Sequence, residues 1–288
     1  TIEDYEVMIK EGWKPLSPWY EEMSADMGDP KKIAQELDVS FIGSGGNVID
    51  DEFISYHEEN FVKDPEFSAE LEKAMWIWKK PEVGHKYIMG VDVSRGDGKD
   101  SSTIVILDFD NLEQVAEFKY KLPPDMLAEV VFKYGNMYSA YTIVDITGGM
   151  GVATARKLQE LGYENFYFDG VDMSNKWKYD PKIKEKIPGI NFNNKRVQII
   201  AAFEEWVRHK FKIRSIRLYN EMNTFVYING RPDHQKGQHD DLIMGISMAL
   251  YVGESSFSKL ERATEHTKNM IESWACLLYT SDAADDTP

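Results

Sequence analysis

The chain has 288 residues, of which 42% are hydrophobic and 12% aromatic, so it can bury a large core and is not a disordered protein. Its 49 acidic residues outnumber 33 basic ones, and the net charge of −16 argues against a general coat for nucleic acids or anionic membranes. The single cysteine, Cys276, excludes internal disulfides, and we find neither a secretion leader nor a membrane-spanning run, so we expect a protein of the reducing cytoplasm without a membrane partner.

The N-terminal part is predicted to be separate from the main domain. Residues 17–27 and 31–37 have the pattern of short helices, and residues 39–43 have the pattern of a strand. Residues 43–46 comprise three glycines and one serine, which gives the chain high conformational freedom. We therefore place a hinge and a domain boundary in this segment.

Four regions follow from that boundary. The last of them lacks periodicity, and we exclude it from the fold. In chain order we expect an N-terminal remnant with its linker, a main domain, a helical tail and a non-native tail: 1–46, 47–255, 256–274 and 275–288.

The main domain is predicted to alternate strands and helices. Apolar segments of strand length occur at 87–93, 103–109, 115–120, 141–146 and 165–168. Helices are predicted at 123–138, 151–161, from Asn193 or Asn194 to about 210, and at 239–251. Three consecutive strands followed by alternating helices and strands indicate an α/β fold with a mixed sheet and helices on both faces.

Acidic residues stand where several of these apolar elements begin or end. Asp92 and Asp145 lie in apolar strands, and Asp240 and Asp241 open the last helix. Each acid alone is typical of a turn or a helix cap. Together they can converge into one acidic pocket, where their mutual repulsion calls for a hard divalent cation. The adjacent His239 could orient a ligand, although a helix cap is the more common role of such a histidine.

The chemistry that such a pocket supports is phosphodiester hydrolysis. Oxygen ligands favour Mg²⁺ or Mn²⁺, and no His/Cys set in the sequence could build a zinc site instead. Two such ions can clamp the attacking water and the leaving oxygen of a phosphodiester.

A basic segment contrasts with the acidic chain. Between Asp172 and Arg217 there are twelve Lys or Arg residues against five acids. Basic and aromatic residues alternate there, which suits contact with a nucleic-acid backbone, whereas the alternative is a solvated surface. The predicted DNA-binding residues are Lys176, Trp177, Lys178, Lys182, Lys184, Lys186, Lys195 and Arg196.

The sequence resembles the nuclease half of the large terminase subunit of tailed phages, in particular the T4-like packaging motor. The resemblance rests on five segments in the expected order: 34–46, 87–97, 142–151, 193–204 and 237–250. It implies an RNase H/RuvC-like fold and an endonuclease that cuts concatemeric double-stranded DNA with metal ions held by three acids. By motif these acids fall on Asp92, on Asp145 and on the pair Asp240–Asp241. T4-like relatives can have Glu at the second position, and either member of the pair could be the third ligand.

The resemblance also implies partners and a location. A portal or procapsid and a small terminase subunit would be partners, and the protein would act in the cytoplasm of an infected bacterial host. Residues 1–46 would be the remnant of an ATPase domain. Because no G-x-x-x-x-G-K-[ST] motif occurs, we do not expect this chain to hydrolyse ATP.

Two alternatives remain at this stage. Segments 90–103 and 144–151 resemble the phosphate loops of actin-like ATPases and sugar kinases. A second alternative is a non-catalytic module for DNA docking or motor coupling, which would keep the basic segment without a metal site. The spatial approach of the four aspartates distinguishes these possibilities.

Overall fold

The computed structural model describes residues 46–98, 100–169, 187–209 and 211–253, together with residues 19, 22, 23 and 25. Those four early residues are helical, within the helix predicted at 17–27. The other N-terminal elements, residues 43–45 of the predicted hinge and the two predicted tails from residue 256 onward lie outside the described residues. Within the described ranges, no helix is long and apolar enough to cross a membrane.

A six-stranded mixed sheet forms the centre of the domain, in the order β1-β2-β5-β4-β3-β6. Neighbouring strands are antiparallel except β3 and β6, which run parallel. The strands predicted at 87–93, 103–109 and 115–120 correspond to β3, β4 and β5. The strand bounds are β1 Phe67–Ala69, β2 Met75–Ile77, β3 Tyr87–Asp92, β4 Ser102–Asp108, β5 Glu113–Tyr120 and β6 Tyr141–Val144.

Helices cover both faces of this sheet, as predicted. The helix bounds are α1 Asp51–Asn60, α2 Pro124–Tyr138, α3 Met150–Glu160, α4 Phe192–His209, α5 Ile216–Asn223 and α6 241–253. A separate hairpin, β7 Phe225–Ile228 and β8 Arg231–His234, precedes α6.

The two faces bury separate cores because successive strand residues point to opposite sides. On β4, Val105 and Leu107 join α4, α5 and α6 in one core, whereas Ile104 and Ile106 join α2 in the other. Helix α6 is buried over nearly its whole circumference, as its apolar sequence indicates. The chain thus has the α/β class of an RNase H-like fold.

Two local predictions were wrong in detail. Helix α4 begins at Phe192 rather than after Asn193 or Asn194, because the Phe192 side chain is buried in the core. The side chain of Asn191 instead accepts a hydrogen bond from the Asn194 N–H at 3.3 Å. The strand predicted at 165–168 is reduced to isolated bridges.

The chain that enters at residue 46 extends the β7–β8 hairpin. The Tyr227 N–H donates to the carbonyl of Gly46 at 2.7 Å, and the Val48 N–H donates to the carbonyl of Phe225 at 2.9 Å. Asn47 forms an antiparallel bridge with Val226 between them. Residues 46–48 are therefore hydrogen-bonded directly to the hairpin.

Helix α6 lies unusually close to strand β3, at a contact between two glycines. A Cβ atom on Gly90 would lie 1.9 Å from the carbonyl oxygen of Gly245. A Cβ atom on Gly245 would instead lie 3.3 and 3.4 Å from the side chains of Thr103 and Val105 and 3.6 Å from the Gly90 carbonyl oxygen, all within ordinary or slightly tight contact. The backbones of β3 and α6 can approach this closely only because Gly90 has no side chain.

This asymmetry predicts different effects for two equivalent substitutions. We expect Gly90→Ala to lower the free energy of unfolding by about 3 kcal/mol, because the methyl group forces α6 away from β3. The free energy of unfolding of Gly245→Ala is expected to stay within about 1 kcal/mol of the parent value. Alanine has a higher helix propensity than glycine, and this gain offsets slight crowding against Thr103 and Val105. Urea unfolding followed by circular dichroism measures both. Equal losses for the two variants would contradict the proposed contact.

Candidate active site

Two of the predicted acids lie side by side at one edge of the sheet. Strands β3 and β6 run parallel with Val91 opposite Val144, so the residues that follow are Asp92 and Asp145. The Asp145 N–H donates to the Val91 carbonyl at 2.9 Å. The carboxyl ends of two adjacent parallel strands therefore present both aspartates at the same level.

The segment after Asp145 fixes its carboxylate by a tight turn. Its Oδ1 accepts a hydrogen bond from the Thr147 N–H at 2.8 Å. Gly148 has a φ of 70°, which glycine adopts without strain. A Cβ atom on Gly151 would lie 1.7 Å from the Asp145 carbonyl oxygen, so α3 can begin directly against the acid. The glycines of segment 144–151 thus serve the packing of this turn.

The Asp240–Asp241 pair approaches from the start of α6, and its two members have different surroundings. Asp241 is buried, and its Oδ2 accepts a hydrogen bond from the Ser101 N–H at 3.1 Å. Its backbone carbonyl accepts from the Thr103 Oγ1 at 2.9 Å, which ties α6 to β4. Asp240 instead places its Oδ1 3.1 Å from the Nδ1 of His234 on β8.

The four carboxylates form one electrostatic cluster. Burial, followed by repulsion from Asp145, Asp241 and Asp240, raises the pKa of Asp92 well above its usual value. Burial also raises the pKa of Asp240, opposed chiefly by His234 and also by Arg196. Charges that repel one another in this way are stabilised by a bound cation, so the residues present suit a hard divalent ion.

Asp92, Asp240 and Asp241 open into a shared cleft of about 360 Å³. Ser94, Arg95, Asp100, Ser101, Met150 and His234 also line this cleft. Within the described residues, two groups of potential ligand atoms around the cleft lie within 4.8 Å of one another: Asp100, His239 and Asp241, and Asp233, His234 and Asp240. The site thus offers carboxylates at its centre and imidazoles at its rim.

His234 was not predicted from the sequence, whereas His239 was. The two rings stack at a centroid distance of 6.4 Å beside the acids. Only the proximity of both histidines to the repeated acids of segment 233–241 could have indicated His234, because hairpin strand β8 has no clear strand pattern.

Most of the predicted DNA-binding residues lie outside the described part of the chain. The residues outside it are Lys176, Trp177, Lys178, Lys182, Lys184 and Lys186. Lys195 and Arg196 lie in the first turn of α4 and are partly exposed. Lys195 pairs with Asp169, and the Arg196 Nη2 donates to the carbonyl of Pro232 at 2.7 Å. Arg196 therefore joins α4 to the hairpin next to Asp240.

No family model matches the sequence. Among solved structures, the chain is similar to the large terminase nuclease from thermophilic phage G20c, with 16% identity and a TM-score of 0.50 over 68% of this chain and 96% of that one. The same nuclease with bound magnesium gives 16% identity and a TM-score of 0.52 over 71% of this chain and 96% of that one. The large terminase nuclease domain of Thermus phage P74-26 gives 16% identity and a TM-score of 0.47 over 68% and 93%. The first two comparisons show that this chain shares the fold of the G20c large terminase nuclease.

The raised pKa of Asp92 predicts a pH-dependent cost to folding without metal. In the unfolded chain this carboxyl ionises in its usual range, whereas the folded chain resists ionisation until higher pH. The folded state thus binds more protons between the two pKa values, and stability falls as the pH rises through that interval. We expect Asp92→Asn to reduce this fall and to melt a few degrees higher than the parent at about pH 7.5 in EDTA.

Thermal melts between about pH 5 and pH 8 test this expectation. Asp125→Asn is a suitable control, because this acid is exposed in the first turn of α2. The same pH dependence for Asp92→Asn and the parent would show that ionisation of Asp92 has no effect on folding.

Proposed function

We propose that this chain is a metal-dependent endonuclease of a phage DNA-packaging terminase, which hydrolyses phosphodiester bonds of double-stranded DNA. The observation that carries the proposal is the electrostatic cluster that Asp92 forms with Asp145, Asp240 and Asp241 where β3, β6 and α6 adjoin. The non-catalytic alternative does not require these acids to meet. The similarity to nucleases, one of them with bound magnesium, also favours hydrolysis over the actin-like alternative.

The proposed roles follow from the surroundings of each acid. Asp92 and Asp145 would hold a divalent ion from the strand side, and Asp241 would complete the set from α6. Asp241 suits this role because its Oδ2 is already fixed by the Ser101 N–H, which limits its orientations. Asp240 is engaged by His234 and would act at the rim, in the outer part of the site.

Two Mg²⁺ or Mn²⁺ ions would supply the Lewis acidity that activates water and would neutralise the negative charge that develops on the phosphodiester during hydrolysis. The protein's own contribution is positional. The β3–β6 register, the turn at Thr147 and the α6 contact with β4 hold the carboxylates before any ion arrives. Such preorganisation keeps the cost of assembling a highly charged site low.

The wider assignment follows the sequence resemblance. We propose concatemeric DNA as the substrate, a portal or procapsid and a small terminase subunit as partners, and the cytoplasm of an infected bacterial host as the location. We also propose a relationship to the T4-like group, with residues 1–46 as the remnant of an ATPase domain and 43–46 as its hinge.

Plasmid nicking tests the proposed active site. We expect cleavage with Mg²⁺ or Mn²⁺ and none in EDTA. Asp92→Asn, Asp145→Asn and Asp241→Asn should each reduce the rate by about a hundredfold or more, because each loses a proposed metal contact. Asp240→Asn should cost only about tenfold, as expected for an outer-shell residue.

The exposed Asp125→Asn variant is again the matched control and should cleave like the parent. Undiminished cleavage by a folded Asp92→Asn protein would refute the assignment of this site. A larger loss for Asp240→Asn than for Asp241→Asn would reverse the roles of the pair.

The basic segment is proposed to contact the DNA backbone. Reversing Lys182, Lys184 and Lys186 to Glu should weaken binding to double-stranded DNA. If each lysine neutralises one phosphate, the slope of log K against log salt should become shallower by about 3. Fluorescence anisotropy over a salt series measures this slope.

A control of equal charge separates a local contact from the general effect of a more acidic protein. The control reverses three exposed or partly exposed lysines in other parts of the domain: Lys63, Lys80 and Lys157. A salt slope unchanged by the first set, or changed equally by both, would support a solubilising role for the segment.

A further inference from the structure

A buried glutamate from outside the acidic cluster supports the start of α6. Glu221 lies on α5 and is only 6% exposed. Its Oε2 accepts hydrogen bonds from the N–H groups of Leu242 and Ile243, at 2.9 and 3.1 Å. These donors belong to the first turn of α6, where N–H groups have no partner within the helix. Glu221 thus caps the helix that begins with Asp241.

The same glutamate holds a lysine that reaches the acidic site. The Oε1 of Glu221 pairs with the Nζ of Lys119, which extends from strand β5. That Nζ also lies 3.7 Å from the Oδ2 of Asp241. Glu221 is therefore linked to Asp241 indirectly in two ways: through the backbone of α6 and through the ammonium of Lys119.

Both polar contacts described above for the Asp241 carboxylate fall on one oxygen. The Ser101 N–H and the Lys119 ammonium approach Oδ2, so these contacts leave Oδ1 for another partner. A cap alone would need no cation next to Asp241. A lysine at this place can help to orient the Asp241 carboxylate. It can do so only while Glu221 keeps the Lys119 ammonium from pairing directly with Asp241.

We propose that Glu221 is a positioning residue for Asp241, which aligns the α6 N-terminus and restrains Lys119 so that Asp241 can bind a divalent cation. This inference rests on the proposed function of the acidic site. Without Glu221, the freed ammonium would move the short remaining distance to Asp241 and compete with the metal ion.

The main variant is Glu221→Gln, which keeps an oxygen acceptor for the two N–H groups of α6 and replaces the oxygen that pairs with Lys119 by an amide nitrogen. Mn²⁺ binding to the full chain, followed by electron paramagnetic resonance, should weaken about 10- to 100-fold, the usual effect of losing a residue behind a metal ligand. Cleavage should require correspondingly more Mn²⁺, with a smaller change in rate at saturation.

Removing the lysine as well distinguishes positioning from a purely structural role. In Lys119→Met/Glu221→Gln no ammonium remains to compete, so Mn²⁺ should bind more tightly than to Glu221→Gln but less tightly than to the parent. This double variant removes the buried Lys119–Glu221 pair as a whole rather than one partner of it, so it should fold even if the single variant does not. Lys133→Met is the control, since it breaks the pair between Lys133 of α2 and Glu70, which follows β1.

The outcomes separate the inference from the proposed function. Parent-like Mn²⁺ binding by Glu221→Gln, or by the double variant if the single one does not fold, would overturn the positioning role. A double variant that binds no better than the single one would overturn the competition by Lys119. Cleavage retained by Asp92→Asn would instead refute the proposed function itself.

Discussion

The close contact between Gly90 and Gly245 determines how the rest of the site is arranged. It lets helix α6 lie against β3 with backbone near backbone, where any side chain on Gly90 would meet the Gly245 carbonyl. Because Asp92 lies two residues after Gly90 and Asp241 lies one helical turn before Gly245, the same contact brings these acids toward one another. The packing of α6 on the sheet and the position of the acidic cleft thus both depend on the absence of a side chain at Gly90.

That arrangement concentrates negative charge in a partly buried cleft, and neighbouring basic residues limit the repulsion between the acids. His234 faces Asp240, Arg196 lies near it, and Lys119 lies near Asp241. None of these three residues contacts Asp92, and burial together with repulsion from the other acids raises its pKa well above its usual value. In the folded protein without metal, ionisation of Asp92 is therefore costly, and a divalent ion bound beside it would offset that cost.

Much of the fold could be predicted from the sequence because β3, β4, α2 and α6 have strong apolar periods. Elements with weak or short patterns were missed, such as the three-residue strands β1 and β2, α5, and the hairpin with Pro232 in β8. The acids were recognisable because they interrupt apolar segments. Glu221 and Lys119 were not, since their importance depends on a contact between distant parts of the chain that no local pattern encodes.

The ladder between residues 46–48 and β7 has a mechanical consequence. From Gly46 the path to the acids runs through two backbone hydrogen bonds to β7, across the hairpin to β8, and from His234 to Asp240. A tensile load on the chain ahead of residue 46 would therefore act first on these few bonds. Such a load would thus reach the rim of the acidic cleft through the hairpin and His234, whereas Asp92 and Asp145 follow strands of the central sheet.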